Sequence, residues 1–116
     1  ATSLAGVPYI YQMLQRLHIE RMGLDSLRTL TQAGGHLAEP IKREFLVSAA
    51  DHGWRFFSMY GQTEAAPRIA WLAHDEVMIA PDAIGRAVPG GRLSLRHEPG
   101  FPDGEGELVY QGPMTC

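Results

Sequence analysis

Five consecutive residues, Tyr60, Gly61, Gln62, Thr63 and Glu64, gather an aromatic ring, a glycine, a hydroxyl and a carboxylate at one point of the chain. They follow an apolar run, Phe56-Phe57-Ser58-Met59, which reads as the end of a buried strand. Each group suits part of a nucleotide. The ring offers a flat face to a base, and glycine lets backbone approach a ligand closely. The threonine hydroxyl can donate to a phosphate oxygen, and the glutamate can hold a divalent cation. A plain surface turn, with Tyr60 packed and Glu64 solvated, is the bland alternative.

The surrounding elements give these groups a location. Residues 8–17 start at a proline and place Ile10, Met13, Leu14 and Leu17 at helical spacing. Residues 27–32 read as a strand closed by Gly34-Gly35. A second helix is expected from about Glu39, with Pro40 in its first turn and Ile41, Phe45, Leu46 and Ala49 on one face. His52-Gly53 is its stop signal. Residues 55–59 form the next strand. Strand, helix, strand is a βαβ unit, so both strands should finish at the same edge, where open α/β sheets bind ligands. Gly34-Gly35 and the loop 60–64 should then form one site. Beyond residue 68 the pattern changes to a short strand at 69–72, a polar connection at 74–82 and a Gly- and Pro-rich stretch at 84–91. Alternating residues at 92–96 and 107–111 flank Pro-Gly and Pro-Asp-Gly turns, which predicts a β-hairpin with a long loop. The expected fold class is α/β: a βαβ unit of a mostly parallel sheet followed by an antiparallel β tail.

Four segments in this order resemble the adenylate-forming superfamily of acyl-CoA synthetases, luciferases and peptide-synthetase adenylation domains. Tyr60–Glu64 matches its Tyr-Gly-x-Thr-Glu signature, and Gly34-Gly35-His36-Leu37 falls at its Gly-rich loop. Gly85-Arg86-Ala87-Val88-Pro89-Gly90 resembles its Gly-Arg-x-x-Pro-Gly segment, where the arginine is expected to pair with a neighbouring carboxylate. Gly106-Glu107-Leu108 is similar to the strand that precedes its ribose-binding aspartate. The resemblance implies an ATP-dependent carboxylic acid ligase that forms an acyl-adenylate and passes the acyl group to a thiol, with coenzyme A as acceptor. By motif position, Tyr60 would stack on adenine and Gly34 and Gly35 would line the base. Thr63 would hydrogen-bond the α-phosphate and Glu64 would hold Mg²⁺, the two together forming the catalytic set. Ser58 and Met59 would border nucleotide and acid, Gly61 would let the acid's carboxylate pass, and Gln62 belongs to the same nucleotide loop. His36 stands where many members have a small residue, and either reaches toward the acid or faces water. Gln62 and Ala65 are closer in type to acyl-CoA synthetases than to peptide-synthetase modules.

The chain has 116 residues, 45 % of them hydrophobic, a formal charge of −3 and one cysteine, Cys116. That is about one domain's worth of core. The absence of a basic stripe argues against nucleic acid as a partner, and a lone cysteine excludes an internal disulfide framework, which leaves the cytosol as the default compartment. No run approaches the roughly 18–20 apolar residues of a membrane span. His18, His36, His52, His74 and His97 show no metal-ligand spacing, the serines sit in no nucleophile elbow, and Asp75-Glu76 reads as a solvated charge pair on a loop. The sequence contains no Ser/Thr/Gly-rich phosphate loop ending in Lys-Gly, no Thr-Gly-Asp ribose clamp and no candidate for the family's catalytic lysine domain. The chain is therefore expected to be a fragment of an AMP-binding N-terminal domain (1–68 the α/β portion, 69–116 mainly β), inactive alone and prone to self-association through a bare sheet edge. A non-catalytic nucleotide-binding or protein-interaction module of the same fold is the alternative, and a small flavodoxin-like domain a third. Thr63 and Glu64 discriminate, because a scaffold needs neither.

Overall fold

A computed structural model describes residues 1–65 and 68–113. Residues 66–67 and 114–116, the lone Cys116 among them, lie outside the described residues. Five strands form one sheet in the order β1 (Ser3–Gly6), β2 (Thr29–Gln32), β3 (Arg55–Tyr60), β4 (Ala70–Leu72) and β5 (Arg86–Ala87). The first three are mutually parallel, and β4 runs against both β3 and β5, so four of the five point the same way. Two helices, α1 (Pro8–Arg16) and α2 (Glu39–His52), connect the parallel strands. A third, α3 (His74–Ile79), links β4 to β5. The remaining strands, β6 (Arg92–Arg96) and β7 (Glu107–Gln111), pair antiparallel in a separate two-stranded sheet.

The elements follow from local chemistry where that chemistry is strong. Pro8 and Pro40 each sit in a helical first turn, where a missing N–H costs nothing. The longer helix α2 stops where Gly53 turns left-handed at φ 70° and its N–H returns to the carbonyls of Ala49 and Ala50. The core lies between these helices and the sheet: Leu30 and Phe56 from the strands, Phe45, Leu46 and Ala49 from α2, and Leu72 and Val77 beyond. The first helix α1 is anchored by Tyr11, fully buried, edge-on to Phe45 at 4.9 Å and to Phe56 at 5.7 Å between ring centroids. Ile10 and Leu17, expected on its apolar face, are instead exposed, because the helix packs on its Tyr11 side.

Three elements depart from the expectation. The strand β1 was not anticipated. Its four small or weakly patterned residues owe their extended form to parallel pairing with β2, Ser3 opposite Thr29 through Gly6 opposite Gln32. The segment 74–82, expected as a polar connection, opens with α3. Asp75 and Glu76 are therefore not a solvated pair on a loop: the Glu76 carboxylate accepts the Ala73 N–H at 3.0 Å and also pairs with Arg86. Arg86 thus finds the carboxylate partner expected of it. The stretch 84–91, read from the sequence only as rich in Gly and Pro, contributes β5 to the main sheet. The hairpin at 92–96 and 107–111 forms as expected.

Candidate functional site

The register of the parallel strands decides where the site lies. Gly6 stands opposite Gln32, and Gln32 opposite Ser58, so β1 and β2 end level with Ser58 and β3 runs two residues further, to Tyr60. The chain leaves that edge as three loops, and their glycines come together. Gly34 adopts φ 79°, and a Cβ there would lie 2.9 Å from Val7 Cγ1. Only glycine lets the 33–37 loop settle onto the start of α1 in this way.

Buried polar groups hold the loops in place. Gln32 is 2 % exposed; its Nε2 donates to the Gly35 carbonyl at 2.7 Å, and its Oε1 accepts from Ser58 Oγ at 3.4 Å. One side chain thereby ties the Gly-rich loop to the strand that carries the signature. Tyr60 is the last residue of β3, one residue further into the strand than expected, and pairs with Ala70 of β4. The Ile69 N–H donates to the Tyr60 carbonyl at 2.9 Å, closing the loop between the two strands at its base. Thr63–Ala65 forms a single 3-10 turn within that loop, and Gln62 Nε2 donates to the Tyr60 hydroxyl at 3.3 Å.

Two clefts open at this edge, divided by Gly34, Gly35 and Gly61, which line both. The smaller, about 280 Å³, is walled by Gly34–Leu37 on one side and Ser58–Gly61 on the other, with Asp82, Ala83 and Ile84 as a third wall. The larger, about 740 Å³, is lined by Ala5, Val7, Ile10 and Ala33 together with Gln62, Thr63 and Arg68. Gly34, Gly35, His36, Ser58, Met59, Tyr60 and Gly61 therefore surround the smaller cleft, while Gln62 and Thr63 face the larger. Glu64 is exposed on the turn just past Thr63 and lines neither. His36 is exposed at the rim, its Nε2 4.0 Å from Asp82 Oδ1 across the cleft.

Sequence reasoning passed over four contributors: Gln32, Lys42, Asp82 and Arg68. Lys42 is 3 % exposed in the first turns of α2, unusual for a lysine, and its Nζ donates to the Pro81 carbonyl. Burial pushes its pKa down, and the carboxylates of Asp82 and Glu39 pull part of the way back. It lashes the third wall of the smaller cleft to α2. The available signal was only a lysine beside apolar Ile41 near a helix start.

Comparison with known proteins assigns the chain to a family. The family model for AMP-binding enzymes matches residues 1–116. The chain belongs to the AMP-binding enzyme family. It is 33 % identical over 118 residues to a feruloyl-CoA synthase from Amycolatopsis sp, covering 97 % of this chain and 23 % of that protein. It is 31 % identical to an acyl-CoA ligase M9 from Phoma sp., covering 90 % of this chain and 20 % of the relative. The crystal structure of VinN superposes with a TM-score of 0.80 at 29 % identity, over 100 % of this chain and 30 % of that one. The o-succinylbenzoate CoA synthetase of Bacillus subtilis matches in fold, with a TM-score of 0.79 at 21 % identity over 99 % of this chain and 23 % of that one. The chain thus spans about a quarter of the length of the proteins it matches. The family assignment bears out the resemblance carried by the four motifs. Among the described residues, no helix is long and apolar enough to cross a membrane.

Proposed function

We propose that this chain forms the nucleotide-and-acid edge of an ATP-dependent carboxylic acid–CoA ligase. The observation that carries the reading is the pair of clefts divided by three glycines where the parallel strands end. The smaller cleft suits a base, since an aromatic residue, Tyr60, and the Gly34-Gly35 pair line it together with Ser58 and Met59. The larger has apolar walls suited to the body of an acid. Gly61, at the divide, lets the acid's carboxylate pass close to backbone on its way to the α-phosphorus.

In this mechanism the protein's work is positioning and charge neutralisation, because the carboxylate attacks phosphorus and pyrophosphate leaves. Thr63 donates from its hydroxyl to an α-phosphate oxygen. Glu64 suits a magnesium ion, since it is an exposed carboxylate with no ion pair among the described residues. Magnesium keeps most of its waters and takes one or two carboxylates beside substrate phosphates. Such an ion would neutralise phosphate charge. The relatives named above support coenzyme A as the acceptor. Activity belongs to the longer protein, because the chain alone offers too few cationic groups at the phosphate position.

Acid-dependent ATP–pyrophosphate exchange by the longer protein, without exchange by the 116-residue chain, is the expected result. Exchange by neither, or by the chain alone, contradicts the proposal. The uncovered edge strand β1, with exposed Val7, Tyr9 and Ile10 beside it, supports self-association of the chain. Light scattering at high concentration tests that: a monomer removes the idea.

A further inference from the structure

The segment between α3 and β5, residues 80–85, supplies the third wall of the smaller cleft and is pinned at both ends. At one end the buried Lys42 of α2 donates from Nζ to the Pro81 carbonyl, and the Ala83 N–H turns back to the Ala80 carbonyl at 3.1 Å. At the other, Gly85 lies so close to the Trp71 carbonyl that no Cβ would fit. Asp82 stands between the two anchors with its side chain exposed. Across the cleft it faces His36, exposed on the Gly-rich loop, at 4.0 Å between Oδ1 and Nε2. That is longer than the roughly 2.7–3.2 Å of an N–H···O bond, so the two walls stand close without being joined. A small rotation of two exposed side chains would join them.

We propose that His36 and Asp82 form a proton-controlled clasp over the smaller cleft, closed when the imidazole carries its second proton. The inference rests on the reading of that cleft as the base site. A neutral imidazole has a single N–H to offer, whereas the imidazolium donates from both nitrogens and adds a full charge. Histidine side chains take up that charge between about pH 5 and 8. The other titratable groups lining the cleft are Lys42, already engaged with Pro81, and Tyr60 on the Ser58–Gly61 wall, with the Glu39 charge near Lys42 at the start of α2. Both partners of the clasp are exposed, so it contributes little free energy and weakens with salt. It slows the exit of a bound nucleotide and takes no part in the bond changes.

The test follows dissociation of a fluorescent, non-hydrolysable acyl-adenylate analogue from the longer protein by stopped flow, at about pH 6 and about pH 8. It compares wild type, His36→Ala, His36→Arg and Asp82→Asn. The wild type should release the analogue about two- to fivefold more slowly at the lower pH, the scale of an exposed ion pair, and about 1 M salt should shrink the difference. His36→Ala and Asp82→Asn should release it equally fast at both pH values. His36→Arg, charged throughout, should release it equally slowly at both. A wild-type rate that ignores pH overturns the inference. So does a pH dependence that survives His36→Ala, which assigns the effect to Lys42 or to the nucleotide. Should the analogue not bind, the base-site reading fails, and hydrogen exchange in the ligand-free protein decides the clasp separately. Amides of residues 80–85 should then exchange faster in His36→Ala than in wild type at the lower pH and equally at the higher, and equal exchange at both overturns the clasp.

Discussion

Replacing Gly85 with alanine should unfold much of the wall that faces Tyr60, and the structure says by how much. Gly85 sits at φ 90°, and a Cβ built there would lie 2.0 Å from the Trp71 carbonyl oxygen and 2.5 Å from its carbon. A left-handed alanine costs about 1–2 kcal/mol on its own. The contact adds a second cost, because the clashing atom is backbone of β4, which is held by β3 on one side and β5 on the other. Overpacking that forces backbone to move typically costs about 1–3 kcal/mol more. Gly85→Ala should therefore destabilise by about 2–5 kcal/mol, a large part of a small domain's stability. Gly23 provides the control: it has φ 64°, and a Cβ there would meet nothing within 4 Å, so Gly23→Ala should cost only the backbone share, about 1–2 kcal/mol. Urea unfolding followed by tryptophan fluorescence measures both, and amide spectra of Gly85→Ala should show changes centred on Trp71, Leu72 and Ile84. The reasoning is refuted if the two variants lie within about 0.5 kcal/mol of each other.

Thr63→Ala and Glu64→Gln in the longer protein should each slow ATP–pyrophosphate exchange by about 10²- to 10³-fold, the scale of losing one charge-stabilising group, with Glu64→Gln showing a raised magnesium requirement; activity within threefold of wild type for both would favour the scaffold reading. The Tyr11 hydroxyl is buried without a hydrogen-bond partner among the described residues, and burial drives its pKa up. Tyr11→Phe should therefore be neutral or stabilising by up to about 1–2 kcal/mol in thermal unfolding, and a loss of more than about 1 kcal/mol would reveal a bond that the geometry does not show. Lys42, with its pKa held below the ordinary lysine value of 10.5, binds fewer protons in the folded than in the unfolded chain between those two values. Its contribution makes stability rise with pH across that window, so the melting temperature of Lys42→Met should rise less than that of the wild type as pH approaches 10.5; parallel curves would show that Lys42 keeps an ordinary pKa.

How much of this was legible in the sequence depended on the range of the forces involved. The helix α2 was readable because a proline, an apolar stripe and a glycine stop signal all act locally. The signature loop was readable for the same reason, since its groups are adjacent in the chain. The strand β1 was not, because Ser-Leu-Ala-Gly carries no pattern and its form depends on pairing with residues more than twenty positions away. Nor was α3, whose six residues bury only His74 and Val77. His74 is inside because its Nδ1 accepts the Phe56 N–H at 3.1 Å, a contact between an apparently polar connection and a core strand. The same limit hid Gln32, Lys42, Asp82 and Arg68. None belongs to a motif, and each matters only because folding brings it to the edge where Gly34 and Tyr60 meet.

The central claim is that this edge is a preformed nucleotide and acid site. The most direct measurement is a titration of the 116-residue chain with a non-hydrolysable acyl-adenylate analogue, with and without Mg²⁺, following backbone amides by NMR. The account predicts shifts concentrated at Gly34–His36, Ser58–Glu64 and Asp82–Ile84, with the Glu64 amide alone responding further to Mg²⁺. A folded chain whose amides stay still, or shift only elsewhere, would contradict it.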